Sequence, residues 1–266
     1  MFLKGLWEKH YFDAVEIHQA FIVFGVGLAA GFVNILAAGG SLLTLPVLIQ
    51  DIGLPSATAN GTNRVAIFLQ NIFALKGFKS KGINVFPFAW WLGGAALLGA
   101  IPGAILAVEI PDEYFNKILA VVLVSVGLLL FFQPMKKYEA NPDLMFSKDK
   151  LPFTLPTFFL IGVYGGFIQA GVGFLIVSAL LIINSFNLVY ANAAKVSTVL
   201  IYTFVALGIF IFNGKVDWLY GLTLAAGNSI GGYFASRWSV KIGDKYIRIF
   251  MLVVIVFMAI RLYLYS

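Results

Sequence analysis

Along this chain, uncharged apolar stretches follow one another with Lys, Arg, Asp and Glu gathered at the joins. Read with charges as boundaries, the stretches lie near 19–50, 62–76, 85–110, 114–133, 151–184, 192–212, 218–236 and 246–265. Most approach the roughly 20 residues that a bilayer-spanning helix requires. Stretches such as Ile118 to Phe132 are continuously apolar, where strands of a membrane barrel would alternate with polar residues, so the pattern predicts helices. Two stretches, 19–50 and 151–184, are too long for one span: about 32 helical residues reach about 48 Å against a hydrocarbon core of about 30 Å. Each must tilt strongly or break. The breaks are expected at Ala37-Ala38-Gly39-Gly40-Ser41 and at Gly171-Val172-Gly173, because glycine disfavours helix.

The second half of the chain echoes the first. At an offset of 132, Gly39 meets Gly171, Ala59-Asn60 meets Ala191-Asn192, and Gly82 meets Gly214. After small shifts, Gly31-Phe32-Val33-Asn34 matches Gly166-Phe167-Ile168-Gln169, and Phe115-x-Lys117-Ile118 matches Tyr246-x-Arg248-Ile249. The expected organisation is one membrane domain over 1–266, with a first repeat at 19–133, a polar linker at 134–151 and a second repeat at 152–265.

Composition agrees with a lipid solvent: 61% of the 266 residues are hydrophobic and 11% charged, against about half and about a quarter in soluble domains. The formal charge of +6 would suggest nucleic acid in a soluble protein, but these cations sit in short loops and read as an orientation signal. Loop 76–84 holds Lys76, Lys79 and Lys81, whereas its counterpart 213–217 holds Lys215 and Asp217. Loop 109–117 is acidic, whereas its counterpart 237–248 carries Arg237, Lys241, Lys245 and Arg248. A bias that swaps between copies predicts halves lying upside down relative to each other, hence an odd number of crossings per half. Five per half gives ten crossings, with both termini outside and 76–84, the linker 134–151 and 237–248 cytoplasmic. An eight-span arrangement gives the same Lys/Arg tally; the inverted one is preferred because it keeps Arg237 to Arg248 inside. The expected fold class is therefore an all-α polytopic protein of the cytoplasmic (inner) membrane, with about 8–10 helices in two inverted repeats broken near the midplane.

The residues Ala37-Ala38-Gly39-Gly40-Ser41-Leu42-Leu43-Thr44-Leu45-Pro46, then Gly53-Leu54-Pro55 and Ala59-Asn60-Gly61-Thr62-Asn63, resemble the sulfite exporter TauE/SafE family of membrane transporters. Ala191-Asn192-Ala193-Ala194-Lys195 and Gly214-Lys215-Val216-Asp217-Trp218 look like its second-repeat pattern. The resemblance covers about 20–265 and implies transport of a small sulfur-containing anion such as sulfite, a sulfonate or a related organosulfur acid, with export as the implied direction. The first glycine cluster is less glycine-rich than is usual in that family. A carrier of another small carboxylate or inorganic anion, or a membrane subunit that does not translocate, are the alternative readings.

Candidate binding residues gather around two cations inside apolar segments, Arg64 and Lys195, at nearly equivalent positions of the repeat. Each costs about 2.5–3.5 kcal/mol at a helix centre, so a partner is expected unless it snorkels to the headgroups. Broken helices expose N–H groups suited to an anion, which brings in Gly39, Gly40, Gly171 and Gly173. Asn34, Ser41, Thr44 and Gln169 flank the openings, and Asn60, Thr62, Asn63, Asn192, Ser197 and Thr198 form a polar collar that could equally cap helices. Gly27-x-x-x-Gly31, Gly99-x-x-x-Gly103 and Gly227-x-x-x-Gly231 are read as packing motifs. All twelve acidic residues lie in the N-terminal stretch, loops or segment ends, so no carboxylate relay crosses the membrane.

Enzyme readings find little support. Gly227-Asn228-Ser229-Ile230-Gly231 matches a nucleophile motif whose context should be a strand-to-helix turn, and here it lies in an apolar segment far from His10 and His18. Cysteines are absent, and neither a phosphate-binding loop nor a metal-ligand cluster occurs, so no cofactor or metal is expected. The expected partners are the bilayer and a small anion, without nucleic acid; homo-oligomerisation is left open.

Overall fold

A computed structural model describes residues 2–132, 141 and 145–265, with side chains described for 17–36, 38–122, 124–125, 141 and 145–241. The linker expected at 134–151 lies largely outside these residues. The chain is helical, with α1 at Phe2–Ala37, α2 at Ser41–Pro46 continuing as a π turn over Val47–Asp51, α3 at Ser56–Lys79, α4 at Phe88–Glu109 and α5 at Asp112–Phe132. Then come α6 at Leu151–Phe167, α7 at Val172–Asn184, α8 at Leu188–Phe212 and α9 at Trp218–Tyr265. Among the described residues, three stretches are long and apolar enough to cross a bilayer, Ile17–Leu36, Phe88–Glu109 and Leu188–Phe212; Ser41–Asp51 and Val172–Asn184 are shorter apolar pieces. Large apolar side chains point outward, among them Phe21, Leu98, Phe153, Leu160 and Phe204, as lipid as solvent requires.

Both long stretches break where length demands. In the first, the left-handed residue is Ala38, at φ 58°, and not one of the two glycines after it; in the second it is Gly171, at φ 73°. Gly40 serves another need, since a Cβ there would stand 2.5 Å from the Ala30 carbonyl oxygen. The polar collar lies deeper in its helices than the segment starts of 62 and 192 implied. Asn60, Thr62, Asn63 and Arg64 occupy the second and third turns of α3, which begins at Ser56 after Pro55. Asn192 is likewise inside α8, whose N-cap is Asn187. Neither Asn60 nor Asn192 therefore caps the start of its own helix.

One expected loop is absent. Residues 237–248 were expected to separate two segments, but α9 runs through them as one 48-residue helix. The physical reason is local chemistry: Lys and Arg favour helix, and nothing between Ser236 and Arg248 resembles the Ile110-Pro111 pair that parts α4 from α5. Charge marked a boundary of the apolar stretch, not of the helix.

Packing rests on small residues. Along α4, Ala89, Ala96, Ala100, Ala104 and Ala107 are fully buried. Gly99 and Gly103 of α4 face Phe159 and Val163 of α6, and Gly162 and Gly166 of α6 face the backbone of Ala96 and Ala100. The same interlock joins α1 to α9: Gly27 and Gly31 lie on Leu224 and Asn228, and Gly227 and Gly231 on Phe24 and Leu28. Each pair of helices runs parallel, and at each seam a side chain would strike backbone, so glycine is required for the approach. α3 and α8 cross antiparallel, with the Arg64 guanidinium over Phe210 and Phe68 against Phe204.

Candidate functional site

A helix that stops inside a membrane leaves four carbonyls without intrahelical partners, and lipid offers them none. At the end of α6 every one is accounted for. The Tyr164 carbonyl accepts from Ile168 N at 2.8 Å. Arg64 Nη2 donates to the Gly165 and Gly166 carbonyls at 3.0 and 2.6 Å, and Asn60 Nδ2 donates to the Phe167 carbonyl at 2.8 Å. Arg64 and Asn60 stand one turn apart on α3, so one face of a first-half helix closes the broken helix of the second half.

The converse holds at the end of α1. Lys195 Nζ, from α8, donates to the Asn34 and Ile35 carbonyls at 2.7 and 3.0 Å, and to Asn192 Oδ1 at 2.9 Å. Arg64 is 0% and Lys195 3% exposed, so neither snorkels to a surface. Among the described residues the ion pair is Lys117 with Glu113, on the exterior, and both buried cations therefore face neutral acceptors.

Donor counting separates the two. An ammonium has three N–H groups and Lys195 has three acceptors, so its capacity is used. A guanidinium has five. Arg64 places one on Gln169 Oε1 at 3.2 Å and two on the α6 carbonyls, and its Nε lacks a partner. Its face also lies 4.7 Å from the Phe210 ring centre, an attraction that tolerates in-plane donors remaining free.

The other candidates fall into place around these ends. Gln169 Nε2 donates to the Tyr202 hydroxyl at 3.0 Å. Asn63 ties down the start of α2: its Oδ1 accepts from Thr44 Oγ1 at 2.7 Å and its Nδ2 donates to Ser41 Oγ at 3.1 Å. The two breaks touch, because a Cβ on Gly173 would stand 2.7 Å from that of Ala38, and Ala38, Leu42, Ile168, Ala170 and Phe174 share one apolar cluster with Phe115 of α5. Thr62 accepts from Asp217 N at 2.9 Å and so anchors the start of α9, while Ser197 donates to the Ala193 carbonyl of its own helix at 2.9 Å. Thr198 Oγ1 is buried without a partner.

Sequence reasoning passed over several groups here. Tyr202, fully buried beside Gln169, and Tyr164, whose hydroxyl donates to the Ala170 carbonyl at 2.6 Å, both brace the second break. Gln70 is buried with both amide atoms unpartnered. A signal existed: Gln70-Asn71 and Tyr202-Thr203 are polar pairs inside apolar stretches at the repeat offset of 132.

The family model described as Sulfite exporter TauE/SafE matches residues 23–262. The chain belongs to the sulfite exporter TauE/SafE family. Among relatives of this TauE/SafE protein, the probable membrane transporter protein ORF9 of a Sinorhizobium species is 28% identical over 252 residues, covering 93% of this chain and 94% of the relative. YfcA of Escherichia coli strain K12, also named a probable membrane transporter protein, is 27% identical over 241 residues, covering 91% and 88%. A probable membrane transporter protein of Haemophilus influenzae is 28% identical over 233 residues, covering 85% and 88%. No solved structure matches the chain. Family and relatives together make this a membrane transporter, and the Gly227 to Gly231 string is a packing seam within α9.

Proposed function

We propose that this TauE/SafE protein is a secondary transporter that exports a small sulfur-containing anion, sulfite or a sulfonate, across the cytoplasmic membrane. The observation that carries the reading is the pair of buried cations without a buried carboxylate among the described residues. Two positive charges in a low-dielectric interior repel each other and lack a counter-ion, and a guest of negative charge supplies it. Arg64 offers its remaining N–H groups to an oxyanion, a planar donor set that suits sulfonate or sulfite oxygens. Lys195 contributes its field while it holds α1. The broken-helix start at Val172, which meets the first break where Gly173 packs on Ala38, adds N–H donors.

The way the halves are tied supports alternating access. Helices at equivalent places, α3 and α8, cross antiparallel, and each half's first helix packs along the other half's fourth by the same glycine seam; both features support inverted repeats that rock about a shared centre. Efflux of labelled sulfite and of a labelled alkylsulfonate from proteoliposomes tests the reading, with a small carboxylate and inorganic phosphate as competitors. Translocation of the carboxylate but neither sulfur anion would move the protein to the alternative class of carrier. Absence of any flux with intact folding would favour a subunit that does not translocate.

A further inference from the structure

Away from the broken helices, α3 and α9 enclose a groove of about 650 Å³ that opens outward, within the roughly 300–1,000 Å³ of small-molecule sites. Side-chain size explains it. The two helices run parallel, with Gly221 beside Val65 and Gly77 beside Ser236, and between these contacts α9 lines the groove with the small residues Ala225, Ala226 and Ser229. Leu69 and Phe73 form one wall and Ile230 and Phe234 the other. The stretch of α9 from Leu222 to Phe234 rises about 18 Å, close to one leaflet of a hydrocarbon core about 30 Å thick.

One end of the groove is cationic. Lys76 lines it, with Nζ 5.2 Å from the Phe73 ring centre. Tyr233 lines the same end, and Arg237 lies 5.5 Å over its ring while Nη1 donates to its hydroxyl at 2.9 Å. Among the described residues no carboxylate lines the groove. An apolar trough one leaflet long, ending in two cations and a hydroxyl, has the charge and shape of an acyl chain with a phosphate at its head.

We propose that this groove binds one anionic phospholipid, its acyl chain between Phe73 and Phe234 and its phosphate on Lys76 and Arg237. A second copy of the chain laid over the groove would instead strand the ammonium against apolar helix. The test is native mass spectrometry of the detergent-purified protein titrated with phosphatidylglycerol and, separately, phosphatidylcholine. The wild type should retain one phosphatidylglycerol with a preference of about tenfold or more. Lys76→Gln with Arg237→Gln should abolish the preference without changing the number of lipids held. Ala226→Phe, and the milder Ala226→Leu, should lower retention of both lipids by filling the trough. Retention unchanged in all of these variants overturns the proposal. Efficient cross-linking between copies through a cysteine at Ile230, abolished by either Ala226 variant, also overturns it and assigns the groove to a second copy.

Discussion

Replacing Arg64 with Gln tests the assignment of the anion site most sharply. The substitution removes the charge and the two donors that the protein leaves free, and the shorter Gln also gives up the bonds that Nη2 makes to the α6 carbonyls. Loss of a charge-assisted hydrogen bond costs about 1.5–3 kcal/mol, or about 10- to 150-fold in affinity. With sulfonate at about 100 times the wild-type Kd, ligand should stabilise the wild type by about 2.7 kcal/mol. At the same concentration the variant should gain only about 0.3–1.3 kcal/mol by the same relation. The assay is thermal unfolding in detergent with and without ligand, each protein against its own ligand-free baseline. That baseline matters because the variant also unpairs the Gly165 and Gly166 carbonyls. Lys195→Gln should reduce the ligand increment less, since all three of its donors are spent on the protein. An undiminished ligand increment in Arg64→Gln would refute the donor-counting argument and leave both cations as helix caps alone.

Three further outcomes are expected. Gly99→Ala should destabilise by about 1–3 kcal/mol in equilibrium unfolding, because a Cβ there strikes the Phe159 carbonyl, whereas Gly94→Ala in the same helix, with open space around it, should be neutral or stabilising. Single cysteines at Ser80, Ser147 and Asn213 of this cysteine-free chain, labelled with an impermeant thiol reagent, should place the first two in the cytoplasm and the third outside; Asn213 labelling from the same side as Ser80 would remove the support for inverted halves. Replacing Asp51, Glu109, Asp112 and Asp217 with their amides should leave the pH dependence of transport intact, and its loss in any one would put a carboxylate in the proton path.

The sequence foretold the broken helices because two independent signals converged, excess length and glycine. Which residue would turn left-handed was hidden, since Ala38 takes that conformation only because tertiary contacts hold it there. The missed continuity of α9 has the opposite cause: a cluster such as Arg237 to Arg248 ends lipid solubility, but it does not end a helix. For the site, the rarity of cations inside apolar stretches singled out Arg64 and Lys195. What the pattern could not convey was direction. A charge inside a membrane segment asks for a partner, but nothing local says that the partners are backbone carbonyls of the other half. Tyr202 and Gln70 escaped notice for a related reason, because a short polar pair in an apolar stretch acquires meaning only when its mate at the offset of 132 is seen beside it.

The crossed capping also bears on how the chain can come into being. Arg64 and Asn60 belong to the first half and close α6, while Lys195 belongs to the second and closes α1. A half made alone would hold in lipid both a buried charge without acceptors and a helix end without donors, two defects that each cure the other's counterpart. Insertion of the first half is thus provisional until the second arrives. Carrying both halves on one chain secures that meeting at a fixed ratio.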